Sequence, residues 1–459
     1  MKRVLALRLI PSFTLAACLV VQAQDTRHVT EPAIPKSCTV LTARLTLTSA
    51  GELAETDEQK TDTAGVQTAI DHCPAGQAVE LQGTSTTNVF LSGPLYLREG
   101  VTVLVDKGAI LLASRNPRDY DRQPGSCGVV NQDSHGCKAL INGEGAAHAA
   151  VMGKGVIDGR GGSKLMGQDV SWWDLAQEAK GKNQSQNCPR ILVLTRCDDF
   201  TLYKITLKNS PNFHVSYGQG RGFTAWGVII DSPKTARNTD GIDPANATDV
   251  TITQCFIHAG DDNVAIKAGG TGGPSTHISV VHNHFYTGHG ISIGSETDAG
   301  AHDIEVRALT IDGADNGIRI KSNSSRGGLV QHVTYEDICI RDTKNPIFMD
   351  SNYSFYGVER NKLPTFRDIL LRKVHISGKG KITLEGYDSA HQLGMTFDSV
   401  IASPETAFSV VAKYADLRFG PGPVNFHPTG PDVHITSQIG ENEPADSCSG
   451  RFVPMPHSH

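Results

Sequence analysis

Aromatic side chains are scarce in this chain, and stretches with helical periodicity are scarcer still. Phe, Trp and Tyr make up 6% of the 459 residues, whereas Gly occurs 47 times. Because few amphipathic helices separate the short alternating segments, βαβ units and a doubly wound sheet are excluded. The chain is longer than one compact core usually spans, so this composition favours a long repetitive β architecture.

Long apolar runs are missing except at the N-terminus. The run Val4–Ala23 follows two cations and ends in a small-x-small sequence. We therefore predict that residues 1–23 are a signal peptide and that the mature protein is secreted. No later segment is long and apolar enough to span a membrane.

The same N-terminal run is also compatible with a lipid anchor in place of secretion. Leu15–Cys18 resembles a bacterial lipoprotein box, and cleavage there would leave a lipid-anchored Cys18. However, Leu19–Val21 continues the apolar run instead of turning polar. This continuation favours full cleavage over the lipid anchor.

An excess of cations is also lacking. Lys and Arg number 42 against 48 Asp and Glu, for a formal net charge of −6. Loss of Lys2, Arg3 and Arg8 with the signal takes the net charge to −9. An acidic protein is a poor candidate for general nucleic-acid binding, although it can bind an anion where its cations are concentrated.

The chain has 10 cysteines, and an exported protein uses them for disulfides. Two pairs are predicted, Cys38 with Cys73 and Cys127 with Cys137. Without Cys18 the number is odd, so at least one thiol stays free. Cys255, on an alternating strand, is predicted to be a buried core thiol.

Short alternating strands recur along most of the chain. Counted from Val250, their first residues are separated by 28, 26, 29, 36 and 26 positions, ending at Met395. Coils of this length that stack on one another predict an all-β fold, the single-stranded right-handed parallel β-helix, over residues 24–440. Residues 63–71 are the best helical segment and are predicted to cap the open N-terminal end. Residues 441–459 are predicted to be an irregular tail.

Charged residues recur at about one per coil. Asp240 and Asp262 are 22 positions apart, Asp262 and His289 are 27 apart, and His289 and Arg319 are 30 apart. Equivalent positions of successive coils lie about 4.8 Å apart, so these side chains are predicted to form one vertical row. Lys321, two residues after Arg319, shares its face.

This row has the chemistry of a glycoside hydrolase acting on an anionic polymer. The same period-two argument places Asn238 beside Asp240. Carboxylates held close together cannot all ionise cheaply, so one is protonated beside ionised partners. A protonated acid can protonate the leaving oxygen while the others activate water. Arg319 and Lys321 can bind a substrate carboxylate.

Each motif alone is more often structural than functional. An Asp-Asp pair is usually a solvated turn, and Gly-His-Gly is usually a loop. Their joint occurrence in order, one per coil, favours catalysis. Trp172–Trp173 favours packing over a sugar-stacking shelf, His214 is evenly balanced between groove and core, and Tyr353 is either a packed turn residue or a substrate contact.

The four motifs Asn238–Asp240, Gly260–Asp262, Gly288–Gly290 and Arg319–Lys321 resemble those of the polygalacturonases, the pectin-hydrolysing glycoside hydrolases of family 28. The resemblance runs from about Ser37 to about residue 410 and is strongest to secreted bacterial endopolygalacturonases.

The resemblance implies a parallel β-helix, an inverting mechanism, a monomer and no metal or cofactor. It further implies that Asp261 is the general acid and that Asp240 and Asp262 activate water. His289 would support the acid, and the substrate would be bound by Asn238, Arg319, Lys321 and Tyr353.

Several alternatives stay open. Exo-acting polygalacturonases and rhamnogalacturonan or xylogalacturonan hydrolases are the nearest, and endo or exo action depends on loops at the ends of the groove. A pectate lyase would need calcium ligands and an arginine base. A non-catalytic β-helix adhesin would not need the four motifs.

Overall fold

A computed structural model describes residues 24–133, 135–353, 362–438, 440 and 443–456. The predicted signal peptide and Cys18 lie outside the described residues. Within these ranges the helices are α1 (Thr63–His72) and α2 (Trp172–Gly181), and short 3-10 turns lie at Glu55–Asp57, Pro117–Tyr120 and Glu405–Ala407. The strands are, in chain order, β1 (Ser37–Thr42), β2 (Ala78–Gln82), β3 (Val89–Ser92), β4 (Leu95–Tyr96), β5 (Thr102–Val105), β6 (Ile110–Ala113), β7 (Val130–Asn131), β8 (Ile141–Glu144), β9 (Ala150–Met152), β10 (Val156–Asp158), β11 (Ser185–Gln186), β12 (Leu192–Thr195), β13 (Thr201–Tyr203), β14 (Thr206–Lys208), β15 (Val215–Gly218), β16 (Arg221–Trp226), β17 (Ile229–Asp231), β18 (Ile242–Ala245), β19 (Thr248–Thr253), β20 (Phe256–His258), β21 (Val264–Ile266), β22 (Ser275–Val281), β23 (His284–Phe285), β24 (Ile291–Ile293), β25 (Ala301–Asp312), β26 (Asn316–Lys321), β27 (Gly328–Arg341), β28 (Asn345–Asp350), β29 (Pro364–Phe366), β30 (Ile369–Ser377), β31 (Gly380–Glu385), β32 (Leu393–Ser403), β33 (Phe408–Lys413), β34 (Ala415–Phe419) and β35 (Val433–Ser437).

The strands stack in parallel into three ladders, which confirms the predicted right-handed parallel β-helix. The first ladder runs through β1, β2, β5, β9, β13, β16, β19 and β22, and the second through β3, β6, β10, β14, β17, β20 and β23. From β25 onward, the strands β25, β27, β30 and β32 are long enough to contribute to both. The third ladder is the 11-stranded sheet β4, β8, β12, β15, β18, β21, β24, β26, β28, β31 and β33.

The corner between the first and second ladders is made by a single residue in the left-handed conformation. Lys204, Gln254 and His282 occupy it with φ of 55°, 55° and 57°. One left-handed residue turns the chain sharply without a long loop, at a modest steric cost for an L-residue. The coils therefore stay short and in register.

The interior is filled by stacked aliphatic side chains. Ile242, Val264, Ile291, Ile318 and Ile347 are consecutive in the third ladder and all are buried. Full burial of each such side chain is worth roughly 1.5–3 kcal/mol. This stack fixes the register of the third ladder, and with it the heights of the turns that precede its strands.

The N-terminal end of the solenoid is closed by a helix. Helix α1 is the predicted cap: it buries Val66 and Ile70 in the core, and a disulfide joins Cys38 of β1 to Cys73 at its C-cap. A second disulfide joins Cys127 to Cys137. Among the described residues the unpaired thiols are Cys188, Cys197 and Cys255.

The tail is tied back onto the solenoid, which the sequence did not predict. Residues 443–456 contain no helix or strand among those described, but a disulfide links Cys448 to Cys339 of β27. Arg451 binds Asp337, with Nη2 and Oδ2 3.0 Å apart. The tail therefore crosses the outer side of the long strands that join the first two ladders.

Helix α2 was also absent from the sequence prediction. Its N-cap Ser171 forms a capping box with Asp174, and Trp172 is buried edge-on against Tyr120. Trp173 donates from its indole nitrogen to the carbonyl of Ser210 at 3.0 Å. Both tryptophans thus pack the helix against the solenoid, as the sequence favoured. Within the described residues, no helix combines the length and apolar character needed to cross a membrane.

Candidate active site

Three of the predicted catalytic residues occupy equivalent positions in three successive coils. Asp240, Asp262 and His289 each lie two residues before a third-ladder strand. The first residues of these strands, in β18, β21 and β24, pair directly with one another. The vertical row predicted from the spacing is therefore present, in the turn between the second and third ladders.

Arg319 does not continue that row, so the predicted alignment is wrong at this step. Its register partner in β24 is Ser292, and the residue two before Ile318, which pairs with Ile291, is Asn316. The cause is a spacing of 30 residues in a coil that needs only 27. Arg319 nevertheless reaches the row, because its long side chain extends along the outer face of the sheet.

Asp262 is surrounded by donors. Its carboxylate accepts from Nζ of Lys321 at 2.8 Å, from Nη1 of Arg319 at 3.1 Å and from Oγ of Ser292 at 2.7 Å. Burial raises the pKa of Asp262, but Lys321, Arg319 and His289 outweigh it and hold the pKa far below its ordinary value. Asp262 is therefore ionised throughout the physiological range.

Asp261 is also held in its ionised form. Nδ1 of His289 lies 3.0 Å from its Oδ1, which also accepts from the backbone N–H of Asp262 at 3.0 Å. Burial raises the pKa of Asp261, yet the hydrogen bond from His289 and the charge of Lys321 leave it lowered overall.

Asp240 has the opposite environment. It is 3% exposed, its Oδ1 has no hydrogen-bond partner among the described residues, and its Oδ2 lies 3.5 Å from Nζ of Lys267. The same ammonium lies closer, at 2.9 Å, to Asp243. Burial and the charges of Asp243 and Asp261 raise the pKa of Asp240 well above its ordinary value. Burial likewise raises the pKa of Asp243 to about 6.

The location of the proton differs from the sequence prediction. Asp261 was expected to be protonated between ionised Asp240 and Asp262, whereas the unliganded structure favours the proton on the Asp240–Asp243 pair. The physical reason is the count of counter-charges. Two buried carboxylates share Lys267 on one side, while Asp261 and Asp262 face an imidazole and two cations on the other.

These groups face one cavity of about 560 Å³ on the outer side of the third ladder. Of the predicted residues, its walls include Asn238, Asp240, Asp261, Asp262, His289, Lys321 and Tyr353. Lys321 is on the wall. Arg319 lies behind it, its side chain 6% exposed, and it donates to the hydroxyl of Tyr353 at 3.0 Å.

Two further sequence-predicted residues have distinct surroundings. Asn238 is in the left-handed conformation, with φ of 55°, in a segment without strand structure. It shares the cavity with Asp240, but not through strand alternation. His214 is buried, with its ring nitrogens 2.9 Å from the carbonyl of Asp240 and 2.9 Å from the hydroxyl of Ser232. Burial lowers the pKa of His214 to about 4, so it is a neutral support for the Asp240 turn.

The glycines of Gly288–Gly290 are required by close packing. At Gly290, with φ of 70°, a Cβ would lie 2.0 Å from the carbonyl oxygen of Gly317 in the next coil. At Gly288, a Cβ would lie 2.5 Å from Oδ1 of Asn263. Oδ1 of Asn263 in turn accepts from the backbone N–H of Gly290 at 2.8 Å. These contacts hold His289 against Asp261.

The basic and aromatic wall beside Asp240 was not predicted from the sequence. Phe213 lines the cavity, with Nζ of Lys267 4.2 Å and Cζ of Arg190 4.4 Å from its ring centroid. Asp243 follows Asp240 in the same motif, and Lys267 directly follows strand β21. Two features of the sequence could have predicted this wall: the second acid, Asp243, close after Asp240, and the cation Lys267 one residue after a buried strand.

Among the residues that the structure describes, Asp261, Asp262 and His289 also form a group that could hold a metal ion, with ligand atoms within 4.8 Å of one another. The oxygens of Asp262 already accept from Lys321 and Arg319. A metal would have to compete with two buried cations for the same carboxylate, and cations repel one another at such distances.

Comparison with known proteins gives consistent matches. The family described as Glycosyl hydrolases family 28 matches residues 58–407. An endo-polygalacturonase of Pectobacterium carotovorum subsp. carotovorum is 41% identical over 411 residues, which cover 89% of this chain and 97% of that protein. A polygalacturonase of Ralstonia nicotianae is 37% identical, covering 93% of this chain and 92% of that protein. The solved polygalacturonase of Erwinia carotovora ssp. carotovora superposes with a TM-score of 0.74 at 37% identity, covering 92% of this chain and 100% of that one.

Proposed function

The chain belongs to the glycosyl hydrolases of family 28, and on that premise we propose that it hydrolyses the α-1,4 bonds between galacturonate residues of de-esterified pectin. The observation that carries this proposal is the cavity in which three aspartates and a histidine meet Lys321. The acids supply proton transfer, and the cation suits a uronate carboxylate.

In the proposed reaction Asp240, Asp261 and Asp262 form one acid–base unit with inversion at the anomeric carbon. Asp262 stays ionised and helps to activate water. The proton of the unit starts on the Asp240–Asp243 pair. An anionic substrate near Asp261 raises the proton affinity of Asp261, which takes the proton from the pair and then protonates the leaving oxygen. Asp240 is left ionised and accepts the proton of the attacking water. His289, hydrogen-bonded to Asp261, orients it.

Substrate binding in this proposal rests on the wall formed by Lys321 and Tyr353. Nζ of Lys321 lies 5.5 Å from the Tyr353 ring centroid, so a carboxylate and a sugar face can be held together. Arg319 acts as a positioning residue, because its guanidinium bonds both Asp262 and the Tyr353 hydroxyl. Asn238 contributes an amide at the opposite wall.

We propose endo rather than exo action because the related protein of Pectobacterium carotovorum subsp. carotovorum, 41% identical over 89% of this chain, is an endo-polygalacturonase. Ser216, Val193 and Asn142 follow Asp243 on the outer face of the third ladder toward its N-terminal end, and each is partly exposed. A chain bound at the cavity can therefore extend in that direction. The three disulfides fit an exported protein, and we propose secretion as a monomer.

Product analysis on polygalacturonate tests this function. Chain lengths, anomeric configuration and the absorbance of unsaturated ends are measured together, with and without chelator. We expect a mixture of oligogalacturonates with inverted configuration, no unsaturated ends and no loss of rate with chelator. Unsaturated products that require calcium would show that the reaction is elimination and not hydrolysis. Release of monogalacturonate alone would show that the enzyme is exo-acting.

A further inference from the structure

A buried histidine is bonded to one wall of the acid–base cavity without lining the cavity itself. His214 directly precedes β15, is 0% exposed and contributes nothing to the cavity surface. Its Nδ1 lies 2.9 Å from the carbonyl oxygen of Asp240, and its Nε2 lies 2.9 Å from Oγ of Ser232. Both ring nitrogens therefore have partners, and both partners belong to the turn that forms this wall.

Ser232 and Asp240 are the two ends of one turn between the second and third ladders. Ser232 directly follows β17, and Asp240 lies two residues before β18. The residues of this turn that line the cavity are Lys234, Thr235, Arg237, Asn238 and Asp240. Because one rigid ring bonds both ends, it fixes the width of the turn and the point from which the Asp240 side chain projects.

The tip of the same turn has separate supports. Nζ of Lys234 lies 3.0 Å from Oδ1 of Asp315, and Nη1 of Arg237 donates to the carbonyl of Ala176 at 3.0 Å. Neither bond connects the two ends of the turn. The tip is thus held from outside, whereas the His214 ring holds the ends from the preceding coil.

The partners of the ring determine its tautomer. A carbonyl oxygen can only accept, so Nδ1 carries the proton and donates to Asp240. Nε2 of the neutral ring is then an acceptor, and the hydroxyl of Ser232 donates to it. The backbone N–H of His214 donates to the same carbonyl oxygen at 2.8 Å. Asp240 is therefore held by two donors of one residue.

A second proton on the ring would break this arrangement. It would place a cation where water is excluded, and Nε2–H would face the hydroxyl that now donates to it. Among the described residues, the charge that favours this proton is that of Asp231 at the end of β17, which is bonded to His258 at 3.0 Å and lies near Lys208. Burial outweighs it, together with the bond to the Asp240 carbonyl, and lowers the pKa of His214 to about 4.

We propose that His214 is a positioning residue for the proposed hydrolysis: its neutral ring ties Ser232 to Asp240 and so holds the Asp240 carboxyl where the acid–base unit needs it. The inference rests on the proposed function and adds to it a residue that touches no substrate. As pH falls, the ring gains its second proton before Asp261 and Asp262, whose pKa values are lowered below that of an ordinary aspartate. Loss of the neutral ring therefore limits activity in acid.

The kinetic test compares His214→Leu and His214→Asn with a matched control, His284→Leu. Leu removes both bonds of the ring, whereas Asn keeps an N–H near the place of Nδ1 and loses only the bond to Ser232. The control also removes a histidine bond, because Nδ1 of His284 lies 2.7 Å from the Thr310 hydroxyl. His284 is in β23 and does not line the acid–base cavity.

We expect His214→Leu to lower kcat by about 10²-fold, since a misplacement of about 1 Å can cost that factor. KM should change little, because the cations at the tip of the turn keep their own supports. His214→Asn should recover at least about tenfold of the loss, and the control should keep the wild-type kcat. A His214→Leu protein with the kcat of the control, or an Asn variant no better than Leu, would overturn the proposal.

Ser232→Ala keeps the proposal testable should His214→Leu not fold. It removes the donor to Nε2 and leaves the bond to Asp240, so kcat should fall by about three- to tenfold, the usual effect of one hydrogen bond. In the wild type kcat should also fall as pH drops through about 4, and in His214→Asn this acid limb should move to lower pH. An unchanged kcat in Ser232→Ala, or an acid limb unmoved in His214→Asn, would contradict the proposal.

Nitrogen-15 NMR of histidine-labelled protein separates this inference from the proposed function. The His214 signals are assigned from the His214→Asn variant, and no turnover is measured, so a failure of hydrolysis leaves the result intact. We expect a protonated Nδ1 and an unprotonated Nε2 at pH 7, unchanged down to pH 5. A proton on Nε2 instead, or titration near the ordinary value of about 6.5, would contradict the bonded ring even if hydrolysis is established.

Discussion

The two sides of the acid–base cavity hold aspartates from adjacent coils of the solenoid in opposite electrostatic settings. On one side Asp262 faces Lys321, Arg319 and a serine hydroxyl. On the other, Asp240 and Asp243 share the ammonium of Lys267, and the charge of Arg190 lowers the pKa of Asp243 to a smaller extent. Asp240, Asp243 and Asp262 are each at most 3% exposed, so burial alone does not distinguish their pKa values. The number of counter-charges decides which carboxyl keeps a proton.

The largest effect is expected from Asp262→Asn. Loss of an ionised acid–base group should lower kcat by roughly 10²–10⁴-fold. Because two buried cations then lose their partner, unfolding free energy should also fall, by about 3–5 kcal/mol. Urea denaturation followed by circular dichroism measures the second effect. A variant with wild-type stability would mean that Lys321 and Arg319 do not depend on Asp262.

Asp240→Asn is expected to lose a similar factor in kcat without losing stability. The folded-state pKa of Asp240 is raised, so its ionisation costs stability as pH rises above the unfolded value of about 3.9. Asn removes that cost. The variant should equal or exceed wild-type stability at pH 7, and its advantage should shrink toward pH 4. Destabilisation at pH 7 would show that Asp240 is ionised and favourably paired.

The next largest effect is expected in the pH profile of activity, which distinguishes the Asp240–Asp243 side of the cavity from the Asp261–Asp262 side. If the proton of the Asp240–Asp243 pair is required, kcat should fall as pH rises beyond about 6, where Asp243 titrates. On the acid side, Asp261 and Asp262 have lowered pKa values, so activity should persist below pH 5. The limbs belong to the coupled group. A flat profile from pH 5 to pH 9 would remove the carboxyl proton from the mechanism.

The smallest effect expected here is a displacement of that profile in Lys267→Met. Without its ammonium, the Asp240–Asp243 pair should hold its proton more tightly, and the alkaline limb should move up by about one pH unit. Lys267→Arg restores the charge and should return the limb toward the wild-type position. A lower rate with an unmoved limb in both variants would indicate that Lys267 is only a packing residue over Phe213.

Sequence alone predicted the fold and the row of Asp240, Asp262 and His289. The reason is that each of the three residues lies two positions before a buried strand. Because these strands are stacked in register, the residues that precede them are stacked as well. The prediction failed for Arg319, because counting from motif to motif ignores that it lies inside a strand. The tail disulfide was missed because Cys339 and Cys448 are 109 residues apart.

The location of the proton could not be predicted for a different reason. It depends on Lys267, which lies in another coil from Asp240 and Asp243, and on an Asp240 oxygen that accepts no hydrogen bond from any described residue. Spacing shows which residues occupy equivalent positions of successive coils, but it does not count the donors around each carboxylate. The hydrogen bond between His289 and Asp261 also lowers the pKa of Asp261 relative to that of Asp240.

The central claim is that the unliganded protein holds its extra proton on the Asp240–Asp243 pair and not on Asp261. Carbon-13 NMR titration of the aspartate carboxyl carbons tests it, with signals assigned from the Asp240→Asn, Asp243→Asn and Asp261→Asn variants. We expect a carboxyl of the pair to titrate near or above pH 6, and Asp261 to titrate below the ordinary pKa of an aspartate. An Asp261 signal that titrates last, with Asp240 and Asp243 already ionised at pH 5, would contradict the claim.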